Sequence, residues 1–82
     1  MSRTITDKKT GRKIELINTK EYKFKTEDQR DKAKRFNWIF TYSNRGLADW
    51  VRRALSSHGY GEPKEVGNTS LKHVIFAVNK VR

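Results

Sequence analysis

The sequence predicts a small two-layer α+β domain spanning residues 1–82, with a mainly antiparallel sheet, two helices on one of its faces, and the order β-β-β-α-α-β. Three observations lead there. The first 25 residues hold β-branched and alternating segments around a turn sequence. Residues 26–59 contain two segments bounded by helix start and stop residues. The C-terminal segment carries the longest apolar run in the chain, Val74 to Val78 (VIFAV).

Residues 3–17 (RTITDKKTGRKIELI) read as a β-hairpin. Thr4, Ile5 and Thr6, then Ile14, Leu16 and Ile17, favour strand. The stretch DKKTG, Asp7 to Gly11, closes the turn. Aspartate can bond its own downstream backbone there, and glycine accepts a positive φ. Glu21 to Lys25 (EYKFK) alternates strictly and reads as a third strand with Tyr22 and Phe24 inward. Thr26 to Gln29 forms a capping box that starts a helix over about residues 27–37. Whether that helix carries Trp38 outward or stops so that WIFTY runs extended is open from the pattern.

A second helix is expected over about residues 45–58. Ser43 or Asn44 would cap it and Gly59 would stop it. Leu47, Trp50, Val51, Ala54 and Leu55 fall on one stripe of its wheel. Residues 60–70 hold the only proline and read as a loop with a short strand near Glu65 and Val66. Residues 71–81 form the last strand, apolar on both faces and therefore placed inside the sheet.

Charge is the dominant compositional feature, with 19 Lys and Arg against 9 acids for a net +10. The excess is greatest at the front, where residues 1–25 hold 8 bases and 3 acids. Such a surface gathers polyanions and speeds encounters with them, and nucleic acid is the commonest such partner. An 82-residue chain buries only about 60% of its unfolded surface, so the core is thin. There is no cysteine, hence neither a disulfide nor a thiolate metal site. The N-terminus is not expected to be a signal peptide, and no run approaches membrane-spanning length, so a cytoplasmic location without membrane contact is expected.

Little in the sequence suggests catalysis, and a non-enzymatic protein without cofactor or metal is expected. His58 and His73 lie far apart, His58 reading as a residue at a helix end and His73 as a half-buried packing residue on a strand. No His or carboxylate set has metal spacing. A metal-independent ribonuclease using Tyr42, Tyr60, His58 and arginines is a lesser alternative.

Three basic patches are candidate nucleic-acid contacts. The hairpin tip offers Lys8, Lys9, Arg12 and Lys13. The outer face of the second helix offers Arg45, Arg52 and Arg53, with Asp49 placed to pair with any of them but unable to neutralise all three. The outer face of the first helix offers Lys34, Arg35 and Trp38, where a solvent-facing indole would stack on an unpaired base. The competing assignment makes Trp38 core.

The run from Glu21, comprising the strand EYKFK, the capped helix TEDQRDKAKRF and then NRGLADWVRRAL, resembles ribbon–helix–helix DNA-binding proteins. The resemblance covers about 35 of the 82 residues. It implies a dimer with extra strands, in which Lys23 and Lys25 face the major groove and Tyr22 and Phe24 fill the dimer core. The sequence departs from that pattern in a longer first helix, in Gly46 at the cap, and in the flanking hairpin and strand.

The leading expectation is a basic, non-enzymatic nucleic-acid-binding protein, DNA or RNA, monomeric or homodimeric, touching phosphates through the hairpin tip and second-helix arginines. The alternative is a small regulatory or inhibitory protein that docks on an acidic partner protein, such as a nucleic-acid-binding enzyme.

Overall fold

Seven elements follow the hairpin start: β1 (Ser2–Thr6), β2 (Lys13–Asn18), α1 (Glu27–Ala33), β3 (Trp38–Tyr42), α2 (Asp49–Ser57), β4 (Lys64–Asn68) and β5 (Val74–Val78). They come from a computed structural model that describes residues 2–69 and 71–82. Met1, and Ser70 at the end of the expected 60–70 loop, lie outside the described residues. The strands form one antiparallel sheet in the order β1-β2-β3-β5-β4, and with the two helices they make a small α+β fold, as the sequence predicts. The C-terminal strand lies inside the sheet, between β3 and β4.

The hairpin turn forms through the chemistry its sequence offers. Thr10 donates to the Asp7 side chain through both its amide (3.2 Å) and its hydroxyl (2.7 Å), and Gly11 takes φ +75°. Thr26 caps α1 by accepting from the Gln29 amide at 3.2 Å. The Gln29 side chain does not complete the box; its Nε2 donates to the Asn68 carbonyl at 3.1 Å and ties α1 to β4. α2 ends in a Schellman turn. Gly59 at φ +85° lets the Tyr60 amide reach back to the Leu55 carbonyl at 2.8 Å.

Three expectations are corrected. First, Glu21 to Lys25 is not a strand. The Glu21 and Tyr22 amides bond the Asn18 carbonyl in a turn, and Tyr22 and Phe24 pack beneath α1. The ribbon needed for a ribbon–helix–helix dimer is therefore not formed by this segment. Second, α1 stops at Ala33 rather than near residue 37. The Asn79 side chain accepts from the Asn37 amide (2.8 Å) and donates to the Arg35 carbonyl (3.0 Å), holding the turn from which WIFTY departs as β3. Third, the helices lie on opposite faces of the sheet. Phe40, Phe76 and Val78 meet Val51, Ala54 and Leu55 of α2, whereas Ile39, Ile75 and Ala77 meet Ala33 of α1. Side chains alternate across a strand, so β3 and β5, apolar at successive positions, need cover on both sides. α2 also starts later than expected, at Asp49, with Ala48 at its cap and no side-chain cap bond.

The approach of α1 to β4 is close. A Cβ at Gly67 would lie 2.6 Å from the Gln29 side chain. Gly67→Ala is expected to cost about 1–2 kcal/mol in urea unfolding through this overlap. Adding Gln29→Ala should recover most of the loss, since it removes the atoms that collide.

Candidate functional site

The arginines of the second patch are partnered by acids distant in sequence rather than by Asp49. Arg53 sends Nε and Nη2 to the two carboxylate oxygens of Asp7, both at 2.9 Å, and so clamps α2 to the hairpin turn. Asp7 is only 2% exposed. The Arg53 bonds and the Thr10 bonds hold its carboxyl well below the usual carboxylate range, against the opposing effect of burial. Arg52 pairs with Glu62, and Arg45, which lies ahead of the helix, sits 3.6 Å from Glu65. Arg53 is thus a structural residue. Arg45 and Arg52 are exposed members of surface pairs, which hold an arginine only weakly.

Trp38 is core, 9% exposed, with the Arg3 guanidinium 4.9 Å from its ring centroid. It is not a solvent-facing platform, because the helix that would have turned it outward ends first. Its expected neighbours Lys34 and Arg35 are exposed just beyond α1.

The hairpin tip keeps its charges outward. Lys8, Lys9, Arg12 and Lys13 are all exposed. The Arg12 guanidinium lies 5.6 Å from the centroid of Trp50, whose ring packs near Tyr42. Next to them the sheet opens. β2 and β3 pair only through Ile17 with Ile39 and Asn18 with Trp38. Beyond those pairs they part around a groove of about 300 Å³ lined by Lys13, Glu15, Tyr22, Tyr42 and Trp50 among others. The Trp50 Nε1 is buried there without a hydrogen-bond partner.

Tyr22 also lines a second and larger groove, of about 540 Å³, between the segment after β2 and α1. Tyr22, Phe24 and Phe36 are half-buried along it, and Lys20, Arg30 and Lys34 stand exposed with the single acid Asp31. The Tyr22 and Phe24 rings meet edge-on at 4.8 Å, and partial burial pushes the Tyr22 phenol above its ordinary range. None of the ion pairs among the described residues uses Lys20, Arg30 or Lys34. Thr19 lines this groove, and its hydroxyl is closed off from solvent with no partner among the described residues. Sequence reasoning named Lys34 but missed Lys20, Arg30 and the aromatic floor. The signal available in the sequence is the basic, aromatic composition of residues 20–36.

The residues weighed for acid–base chemistry are dispersed in role. His58 ends α2 with Nε2 3.2 Å from the Thr6 carbonyl, Tyr60 is buried and accepts from Arg3 at 3.3 Å, and Tyr42 packs by Trp50. His73 is exposed, not half-buried, because β5 begins only at Val74. Among the described residues no three His, Asp or Glu side chains gather as a metal site, and no helix is long and apolar enough to cross a membrane. No family model matches this chain, and no curated protein or solved structure is significantly similar to it.

Proposed function

We propose that the chain is a non-enzymatic, cytoplasmic nucleic-acid-binding protein. It grips phosphates with the cations of the hairpin tip and of the groove beneath α1. One observation carries this reading: Lys20, Arg30 and Lys34 crowd the rim of an aromatic-floored groove and none is tied to a carboxylate. Cations beside open aromatic rings suit a strand that offers both phosphates and base faces. Tyr22 borders both grooves, one lined by Lys13 and the other by Lys20, Arg30 and Lys34. Arg45, Arg52 and Arg53 take a lesser part than the sequence suggests, since each has an acid partner.

The test is binding of labelled single-stranded DNA and RNA across a salt series. Log K should fall linearly with log salt, by roughly 0.7 for each phosphate engaged. Lys8→Glu with Lys9→Glu should flatten that slope by about one to two. Failure of naked nucleic acid to bind even near 50 mM salt, with recovery of one stoichiometric acidic protein instead, would replace this reading by the regulatory one.

A further inference from the structure

From the larger groove we infer that it seats one unstacked nucleobase of a single strand, with the flanking phosphates on Lys20, Arg30 and Lys34; this rests on the nucleic-acid reading above. The groove's volume, about 540 Å³, lies within the range of pockets that enclose small ligands. Its floor is aromatic rather than polar. Tyr22, Phe24 and Phe36 are only half-buried, although other residues of the same cluster, such as Ile39 and Ile75, are fully covered. A ring open to water in a groove gains by stacking against another flat ring. The rim carries three cations to one acid, so the occupant is anionic as well as aromatic. A nucleotide joins those properties in one unit.

The Thr19 hydroxyl adds an independent sign. Thr19 is a wall residue of the groove, and its hydroxyl is closed off from solvent with no partner among the described residues. A buried hydroxyl left unpaired is costly, and a shift of the wall on binding brings it to a polar edge of the base. Duplex DNA keeps its bases stacked and paired, so it reaches the rim but not the floor. The surface therefore discriminates strand state, which a patch of lysines alone would not do.

The test compares a short labelled single strand, in deoxy and ribo versions, with a strand of equal length and charge made of abasic residues, and with the matching duplex. At one salt concentration the intact strand should bind about tenfold more tightly than the abasic strand. Tyr22→Ala should shrink that ratio towards one, and Tyr22→Phe should keep it. The ratio for the native chain decides the matter even if Tyr22→Ala does not fold. Equal binding of intact and abasic strands, or of strand and duplex, overturns base insertion and leaves phosphate binding standing. No binding of any of the three overturns both.

Discussion

Arg53→Met lowers the thermal midpoint by roughly 10 °C at neutral pH, the expected result of stripping a buried carboxylate of its bidentate partner. Methionine keeps most of the stem that packs beside the hairpin but leaves Asp7 with Thr10 alone. The Arg53 side chain is partly open to solvent, which screens the loss relative to a fully enclosed pair. Asp7→Asn added to Arg53→Met should cost less than the two single losses together, because the orphaned charge disappears. The acid dependence follows in sign. The folded pKa of Asp7 is depressed, so its contribution is full above the ordinary aspartate range near pH 4. It fades as pH falls below that range towards the folded value. Melts of the parent should therefore weaken from about pH 4 downward, and those of Arg53→Met should weaken less. A variant that melts within about 2 °C of the parent at pH 7 would show that the clamp does not hold the hairpin.

The second large effect is on binding. Replacing Lys20, Arg30 and Lys34 together by glutamate removes three cations from one rim and installs three like charges against phosphate. Affinity for single strands at low salt should drop at least a hundredfold, and the salt slope should fall by about 2. Arg45→Glu with Arg52→Glu, set against the Lys20→Glu with Lys34→Glu double variant of equal charge change, is the control, since both arginines already face carboxylates. That pair should cost clearly less. Equal losses from the two sets would move the binding surface to α2. Circular dichroism should show the triple variant folded, because all three side chains are exposed.

What could be read from the sequence was local. The Asp7–Gly11 turn, the Thr26 cap, the Val51, Ala54 and Leu55 stripe and the two-faced apolar pattern of β5 all depend on neighbours within a few residues. Each was legible for that reason. β3 was not, because Trp38, Ile39 and Phe40 are consecutive apolar residues that fit a buried strand and a helix end equally well. EYKFK misled because its alternation describes a strand, yet no partner strand meets it and its backbone turns on Asn18. The two-faced pattern of β5 itself implies cover on both sides of the sheet, which helices on one face alone do not supply.

The site was less legible than the fold. Arg53, Arg52 and Arg45 are paired with Asp7, Glu62 and Glu65, which no helical wheel contains. The larger groove is made by residues 18–24 meeting residues 30–37, two stretches whose approach depends on where α1 ends. The hairpin cations are exposed, since a turn at the edge of a sheet has nowhere else to put them.

The narrow junction of β2 with β3 has a further consequence. Two ladder pairs, continued by the Thr19 amide donating to the Asn37 carbonyl at 2.9 Å, stitch the hairpin to the rest of the sheet along that line. The molecule is built like a book whose two leaves share a short spine, with the Asp7–Arg53 clasp at the opposite margin. The hairpin is therefore held to the rest mainly by side chains, since Ile5, Ile14 and Leu16 share one buried cluster with Phe40, Val51 and Leu55, and freeing it means opening that cluster.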